Sequence, residues 1–483
     1  MRSRTDQARA RRSGHSDGIY DFAVIGAGAA GLTAADFVTR LGMRTVLVEQ
    51  DRIGGDCTWT GCVPSKALVR VARAAHDARI ADEFGIGLGP PSVNMPAVRN
   101  YLRKCIDQIY RGTTPEALAS KGIEVLTGAT RFVGRDAVAV GERIIRAKRF
   151  LVATGARPVT PPIKGLDAVP HFTYRTFFEN ERLPRALVVI GGGPVGAEIA
   201  QAYRRLGSAV TMVAPKLLPK EDEDVRAAII RVFEREGIEI IQGRAESVRR
   251  DGEELAVSSN AGTARGDMLL VAAGRKPNLE GLDLDKAGVA HSVRGIPVDA
   301  RFQTNVGTIF AAGDVLDGPQ FSHLAAWQAF YAARNALLPF GGDRHADVLP
   351  RVTFTDPEVA HVGPSLKEAR DKYGADLVVH TTPLEKIDRA VTEDDGDGFV
   401  RIAMKQDGTI VAATIVAERA GESLSELCLA ISRNMKMGHL ATAIHPYPTY
   451  STAVQQIAAD LSVERTLASL PGKIALHLAK NFG

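Results

Sequence analysis

A glycine-rich turn between an apolar strand and a helix occurs twice in this chain. The first copy runs from Ile19–Ile25 into Gly26-Ala27-Gly28-Ala29-Ala30-Gly31, and a helical pattern and a second strand follow. The second copy runs from Ala186–Ile190 into Gly191-Gly192-Gly193-Pro194-Val195-Gly196, with the same sequel. One such motif is a weak signal, but two in full strand–turn–helix–strand context predict two Rossmann-like dinucleotide-binding domains.

Glycine is required in these turns because the backbone must approach a pyrophosphate closely. The following helix then points its first N–H groups and its dipole at the phosphates. We therefore predict cofactor binding at the three fingerprint glycines of each copy: Gly26, Gly28, Gly31, Gly191, Gly193 and Gly196.

The two copies differ at the residue that would meet the adenosine ribose. In the first, Glu49 ends the second strand, where a carboxylate accepts hydrogen bonds from ribose hydroxyls, as FAD requires. In the second, the corresponding position is Ala214, and the cation Lys216 follows. This pattern favours NADPH over NADH at the second site.

Two cysteines lie shortly after the first fingerprint, in Gly54-Gly55-Asp56-Cys57-Thr58-Trp59-Thr60-Gly61-Cys62-Val63-Pro64-Ser65-Lys66. Their spacing differs from the Cys-x-x-Cys of zinc ribbons and thioredoxins, and two cysteines are too few for a closed zinc site. No resident metal is therefore expected. A cysteine pair beside a flavin can pass two electrons from a hydride carrier to sulfur chemistry. Cys105 and Cys428 lie in no motif and are interpreted as structural.

Length and composition bound the class of protein. A chain of 483 residues predicts several domains. A net charge of +4 gives no case for nucleic acid, and no apolar run reaches the ~20 residues of a membrane span. Residues 1–18 lack the apolar segment of a secretory signal and are expected to form a disordered tail. Few cysteines in a long chain indicate a cytoplasmic protein in which a disulfide would be catalytic.

The region from Val352 onward changes character and predicts a third domain. It contains strand-like segments followed by a helix expected from about Gly421 to Lys436. After Leu470, a Pro-Gly pair and apolar residues spaced with lysines predict a short amphipathic helix. For so short a segment we expect docking on a dimer and no membrane contact.

Taken in order, these motifs resemble those of the pyridine nucleotide-disulfide oxidoreductases of the glutathione reductase, dihydrolipoyl dehydrogenase and mercuric reductase group. The resemblance implies FAD on residues 19–160 and 285–348, a nicotinamide nucleotide on 161–284, and a dimerisation domain on 349–483. The implied fold class is α/β, with two Rossmann-like dinucleotide-binding domains plus a C-terminal α+β dimerisation domain. The implied assembly is a homodimer.

The resemblance also implies roles for individual residues. Cys57 would be the thiol that meets substrate, and Cys62 the thiol that forms the charge-transfer complex with the flavin. Lys66 would lie near flavin N5, paired with Glu198, so both count as catalytic and cofactor-binding. Further cofactor contacts would come from Gly55, Thr154, Gly155, Gly274, Asp314 and Ala325.

One segment departs from the disulfide reductases of this group. They carry His-Pro-Thr, with a glutamate five positions past the histidine, and this pair manages protons for the partner subunit. Alignment on Pro448-Thr449 places Tyr447 at the histidine and Thr452 at the glutamate, with His445 two positions early. Tyrosine titrates near ~10 and histidine near ~6.5, so Tyr447 is a poor proton donor at neutral pH.

A tyrosine at this position is similar to the mercuric reductase branch, as are Ala200–Ser208 and Leu217–Asp222. A soft metal ion needs thiolates and electrons and no acid. That branch carries a C-terminal cysteine pair, which is absent from Leu478–Gly483. The expected enzyme passes electrons from NADPH or NADH through FAD and the cysteines to mercury(II), or to another soft or thiol-reactive acceptor. Its active site would be shared between the subunits.

Two alternatives stay open at this point. The first is dihydrolipoyl dehydrogenase, or another dithiol–disulfide enzyme, in which His445 reaches the thiol by a different loop path. The second is a flavin-bound redox sensor that cycles its disulfide with little turnover.

Overall fold

The computed structural model describes residues 18–338, 342–343 and 346–482. Apart from Gly18, the predicted disordered tail lies outside the described residues. The described chain forms two compact units. The first contains residues 18–59, 107–157 and 276–338 with 342–343, and the second contains 60–106, 158–275 and 346–482.

The strands follow one another in this order: β1 Phe22–Ile25, β2 Thr45–Glu49, β3 Ile123–Thr127, β4 Thr130–Gly134, β5 Ala137–Val140, β6 Arg143–Arg146, β7 Phe150–Val152, β8 Ala156–Pro158, β9 Phe172–Thr173, β10 Ala186–Ile190, β11 Ala209–Val213, β12 Ile238–Ile241, β13 Ala245–Asp251, β14 Glu254–Ser259, β15 Gly262–Gly266, β16 Met268–Val271, β17 Arg275–Pro277, β18 Ile309–Ala311, β19 Arg351–Thr353, β20 Glu358–Val362, β21 Leu377–Pro383, β22 Phe399–Lys405 and β23 Ile410–Ala417.

The α-helices are α1 Ala29–Arg40, α2 Gly55–Trp59, α3 Cys62–Ile80, α4 Met95–Tyr110, α5 Pro115–Ser120, α6 Tyr174–Phe177, α7 Pro194–Leu206, α8 Glu223–Arg235, α9 Leu284–Ala287, α10 Ser322–Leu337, α11 Leu366–Tyr373, α12 Asp388–Thr392, α13 Ala420–Ser423, α14 Ser425–Ser432, α15 Met437–Leu440, α16 Thr452–Ala468 and α17 Leu470–Phe482. Among the described residues, no helix has both the length and the apolar character that a membrane crossing requires.

The first unit is built around a parallel sheet in the order β18-β7-β1-β2-β3. Its central strands read as continuous apolar runs because both faces are buried. Helix α1 turns small side chains, including Ala34 and Ala35, towards the core. A three-stranded antiparallel sheet, β4-β5-β6, belongs to the same unit.

The second unit contains a parallel and an antiparallel five-stranded sheet. The parallel sheet has the order β12-β11-β10-β16-β9, and the antiparallel sheet has the order β19-β20-β23-β22-β21. A smaller antiparallel sheet, β13-β14-β15, comes between β12 and β16 in the chain. The predicted fold class, two Rossmann-like regions and a C-terminal α+β region, is confirmed. The assignment of cofactors to three domains stays a prediction.

The prediction of one continuous helix from about Gly421 to Lys436 is wrong. The structure divides this segment into α13 and α14, and α14 ends at Ser432. Asn434 adopts a φ of +51°, and the N–H of Met435 donates to the carbonyl oxygen of Ala430. A left-handed residue ends an α-helix, so the chain turns before α15 begins.

Candidate active site

The first glycine fingerprint lies at the carboxyl end of the parallel sheet in the first unit. Gly26 follows β1 with a φ of +102°, and a Cβ there would lie 2.3 Å from the Ala153 carbonyl oxygen. A Cβ on Gly31 would lie 1.8 Å from the Gly26 carbonyl oxygen. Glycine is therefore required at both positions. Gly28 is the N-cap of α1, whose first N–H groups are free to meet a phosphate.

Glu49 and Gly55 lie at the same turn. Glu49 accepts hydrogen bonds from the N–H groups of Ala27, at 2.6 Å, and Asp51, at 2.9 Å. A carboxylate has about four acceptor positions, so this one can also accept from a ribose hydroxyl. A Cβ on Gly55 would lie 2.8 Å from the Cα of Gly28. The two backbone segments are therefore in contact, and a side chain on Gly55 would clash with Gly28.

The other residues predicted to hold FAD follow the ends of neighbouring strands. Thr154-Gly155 comes shortly after β7, and Asp314 comes shortly after β18. A Cβ on Gly313 would lie 3.2 Å from the Cβ of Ala325 and 3.3 Å from the Cβ of Ala30. Because the carboxyl ends of parallel strands share an edge, these residues gather there. The glycine cradle, the helix terminus and the carboxylate together fit FAD.

The second fingerprint repeats this arrangement in the second unit. Gly191 has a φ of +123°, and its Cβ would lie 2.3 Å from the carbonyl oxygen of Ala272. A Cβ on Gly196 would lie 2.3 Å from the Gly191 carbonyl oxygen, whereas Gly193 has open space around it. Gly274, after β16, also faces open space. The backbone here is accessible to a second dinucleotide.

The residues expected to select the nicotinamide nucleotide follow β11. Ala214 is buried, and Lys216 is exposed. The carbonyl oxygen of Lys216 would lie 2.3 Å from a Cβ on Gly192, so its backbone borders the glycine turn. A solvent-exposed ammonium at this place can meet a 2′-phosphate.

Cys57 and Cys62 lie on different short segments. Cys57 is half-buried within α2, and Cys62 is the exposed first residue of α3. The indole of Trp59 donates to the carbonyl oxygen of Ile53 at 2.7 Å, and the Arg52 guanidinium lies 4.8 Å from its ring centroid. Trp59 thereby fixes the end of α2. The N-terminus of a helix stabilises a thiolate, which favours a reactive Cys62.

Lys66 and Glu198 form an ion pair within the second unit. The ammonium of Lys66 lies 2.9 Å from Glu198 Oε2, and the Glu198 residue is only 5% exposed. Glu198 Oε1 accepts the N–H of Phe354 at 3.0 Å. The same ammonium lies 4.2 Å from the centroid of the Phe354 ring, within cation–π range. The pair that the sequence led us to expect is present, and Phe354 contacts both of its members.

Tyr447 points away from the protein interior and is 70% exposed. Its hydroxyl donates to Asp388 Oδ2 at 2.5 Å. This hydrogen bond and the negative charge of Asp388 raise the pKa of the Tyr447 phenol above its usual value. Tyr447 is therefore held as a neutral phenol at physiological pH and is still less able to donate a proton than an ordinary tyrosine.

His445 contacts Glu426 and the backbone of Ala443. Its Nε2 lies 2.9 Å from Glu426 Oε2, its Nδ1 lies 3.2 Å from the carbonyl oxygen of Ala443, and its side chain is 7% exposed. Both ring nitrogens thus have partners within the same region. His445 would have to leave this pocket before it could serve as a proton donor elsewhere.

Among the described residues, no group of three or more His, Cys, Asp or Glu side chains could hold a metal ion.

Comparison with protein families identifies two matches that together span most of the chain. Residues 20–329 match the pyridine nucleotide-disulphide oxidoreductase family, and residues 349–458 match the dimerisation domain of the same family. The chain belongs to the pyridine nucleotide-disulphide oxidoreductases. This family uses FAD and NAD(P)H, so the protein is a FAD-dependent oxidoreductase. The dimerisation-domain match supports a homodimer.

Two groups of relatives occur among the curated proteins. A mercuric reductase of Streptomyces lividans is 36% identical over 91% of this chain and 95% of its own length. A dihydrolipoyl dehydrogenase of Haloferax volcanii is 34% identical over 90% of this chain and 94% of its own. The two identities are too close to decide the acceptor.

Solved structures show the same fold. The HOCl-induced flavoprotein disulfide reductase RclA from Escherichia coli superimposes with a TM-score of 0.82 at 26% identity, over 91% of this chain and 99% of its own. LpdA from Mycobacterium tuberculosis gives a TM-score of 0.84 at 27% identity, over the same shares of the two chains.

Three residues at this site could not have been found from the sequence. Phe354 contacts Lys66 and Glu198, Asp388 holds Tyr447, and Glu426 holds His445. None of the three lies in a motif, and each is distant in the chain from the residue that it contacts.

The Lys66–Glu198 pair should show a measurable coupling free energy. Lys66→Met leaves the buried Glu198 carboxylate without its cation, whereas Glu198→Gln removes the charge and keeps the shape. Because Lys66 is about one-third exposed, we expect a coupling of about 1–3 kcal/mol, below that of a fully buried pair. A double-mutant cycle on thermal unfolding measures it, and strictly additive single variants would contradict the pairing.

Proposed function

We propose that this protein reduces mercury(II), or a closely related soft and thiol-reactive acceptor, with electrons from NADPH. The observation that carries the proposal is the hydrogen bond from Tyr447 to Asp388. Releasing a dithiol product needs a proton donor whose pKa lies near the working pH, and the raised pKa of Tyr447 opposes that role. Capture of a soft metal ion by thiolates needs no such acid.

The roles of the regions follow from the family. We assign FAD to residues 19–160 and 285–348, the nicotinamide nucleotide to 161–284, and dimerisation to 349–483. The carboxylate of Glu49 supports FAD at the first fingerprint. The exposed Lys216, with no acid at the Ala214 position, supports NADPH at the second.

The chain's own residues then have distinct tasks. FAD, held by the first glycine fingerprint and Glu49, would supply two-electron chemistry between the nicotinamide nucleotide and sulfur. Reduction of the Cys57–Cys62 disulfide yields two thiols, of which Cys57 captures the acceptor as a thiolate. Mercury(II) takes up one electron pair to become elemental mercury, the two thiol protons pass to solvent and the disulfide forms again, so atoms, charge and electrons balance. Lys66, held by Glu198, supplies positive charge in the first turns of the helix that begins at Cys62.

The active site is proposed to be shared between the subunits of a homodimer. In this arrangement Tyr447 of the partner subunit meets the acceptor at Cys57. The high exposure of Tyr447 in the single chain supports a role against another surface. A cytoplasmic location is proposed with it, because reduced nicotinamide nucleotides and a cycling disulfide belong to a reducing compartment.

A dihydrolipoyl dehydrogenase is the second candidate. The Haloferax volcanii relative favours it, and so does the His445–Glu426 pair, which places a histidine beside a carboxylate. The burial of His445 and the use of both its ring nitrogens oppose it. The redox sensor is distinguished from both enzymes by its lack of turnover.

A panel of acceptors tests the proposed function. The FAD-loaded protein is given NADPH or NADH, then mercury(II) with excess thiol, lipoamide, glutathione disulfide or an aromatic disulfide. We expect NADPH oxidation with mercury(II) at least about 10-fold faster than with lipoamide, because Tyr447, with its raised pKa, is a poor acid for the dithiol product. Cys57→Ser should abolish this activity. Cys105→Ser, a half-buried cysteine outside the loop, is the matched control and should retain it.

Faster turnover of lipoamide than of mercury(II) would refute the metal acceptor. Flavin reduction without turnover on any acceptor would favour the sensor.

Tyr447→His should raise turnover of lipoamide by roughly 10-fold at neutral pH. A histidine supplies a proton donor whose ordinary pKa lies near the working pH. General acid catalysis commonly contributes more than about 10-fold. We expect the smaller gain because Thr452 stands where the family has the glutamate that pairs with the histidine. The matched variant Tyr447→Phe removes the hydroxyl without adding an acid and should give no gain. Equal lipoamide rates in both variants would show that the proton relay is not what limits disulfide turnover.

A further inference from the structure

The last helix, α17, is exposed over almost its whole length. Of residues 470–480, all but Gly472 are exposed, and Leu470 is 73% exposed and Ile474 52%. The helix has 13 residues. An isolated helix of that length is only marginally stable in water, and most helices owe their stability to packing. A packing surface for α17 is therefore required outside the single chain.

The start of α17 is hydrogen-bonded to Ser469, directly after the end of α16. The N–H of Gly472 donates to Ser469 Oγ at 3.0 Å, and the N–H of Lys473 donates to the carbonyl oxygen of Ser469 at 2.9 Å. A Cβ on Gly472 would lie 1.7 Å from the carbonyl oxygen of Thr466, so the turn between α16 and α17 is tight. These hydrogen bonds fix the direction in which α17 follows α16.

The side chains of α17 are apolar around most of the helix. Leu470, Ile474 and Leu478 are spaced by four and share one side. Leu476 is two residues from both Ile474 and Leu478 and therefore points to the opposite side, and it is exposed too.

The polar side of α17 is narrow. Lys473, His477 and Lys480 are spaced by four and three residues and share it. A helix that lies on a lipid surface has one apolar face and a broad charged face, whereas a helix that is apolar on several sides is buried in protein or spans a membrane. Among the described helices none can span a membrane, which leaves burial by protein.

The position of α17 in the chain favours a second copy of this chain as that protein. The match to the dimerisation domain ends at residue 458, inside α16. The rest of α16 continues beyond the matched domain with Val463 and Leu467 exposed, and α17 follows directly. One continuous helix thus carries both the matched dimerisation region and the exposed apolar end.

We propose that α17, with the exposed end of α16, packs against the second copy of this chain and extends the dimer interface beyond the matched domain. The proposal rests on the homodimer of the proposed function. It assigns Ile474 and Leu478 to the buried part of that interface and Lys473 and Lys480 to its solvent side.

Matched charge substitutions on α17 test this assignment in the full-length, FAD-loaded protein. Ile474→Glu/Leu478→Glu places two carboxylates on the apolar side, and Lys473→Glu/Lys480→Glu places two on the polar side with a larger change in net charge. We expect the first variant to raise the dimer dissociation constant by at least about 100-fold, since two buried apolar side chains are lost. The second variant should stay within about 3-fold of wild type.

Sedimentation velocity over a dilution series measures the dissociation constants, and flavin content with far-ultraviolet circular dichroism checks folding. Hydrogen exchange gives a second measurement: residues 470–480 should be protected in the dimer and lose protection on dilution to monomer. A wild-type dimer that Ile474→Glu/Leu478→Glu leaves unchanged would overturn the inference. So would binding of wild type to phosphatidylglycerol vesicles that Lys473→Glu/Lys480→Glu abolishes, with dimerisation unaffected. A wild type that is monomeric at every concentration would overturn the homodimer itself.

Discussion

The ion pair between Lys66 and Glu198 is the interaction on which the rest of the candidate site depends. It joins α3, which begins at Cys62, to α7, which begins at the second glycine fingerprint. Cys62 and Lys66 are four residues apart and share one side of their helix, so fixing Lys66 also fixes the rotation that presents Cys62. Because Glu198 is buried, its carboxylate needs this cation and the Phe354 N–H together. Helices α3 and α7 are therefore linked by one charge pair.

The proposed acceptor rests on the contacts of Tyr447 and His445. The Tyr447 hydroxyl donates a short hydrogen bond to Asp388 and keeps its proton. The two ring nitrogens of His445 contact Glu426 and the Ala443 carbonyl oxygen. The raised pKa of the Tyr447 phenol makes it a poor proton donor at neutral pH, and His445 is occupied by these two contacts. A phenol kept neutral can still contact a metal ion or its ligands, which is why the soft acceptor fits these residues better.

Part of the fold and of the candidate site was predictable from short-range sequence patterns, and the tertiary contacts were not. The two glycine turns and Glu49 follow from local spacing, because a turn that admits no Cβ restricts the residue type directly. The Lys66–Glu198 pair was implied by the family resemblance and not by spacing. The helix after Leu470 was also expected. Phe354, Asp388 and Glu426 were not, since tertiary packing alone brings them to their partners. The break near Asn434 was missed because one left-handed residue overrides an apolar pattern that reads as a single helix.

The central claim is that electrons from the nicotinamide nucleotide reach Cys57 and Cys62 through the bound FAD. Anaerobic reductive titration of the FAD-loaded protein, followed by flavin absorbance, tests it most directly. Wild type should take up two electron pairs per flavin, one for FAD and one for the disulfide, and Cys57→Ser should take up only one. Equal uptake by wild type and Cys57→Ser would contradict the claim, because the cysteines would then hold no electrons.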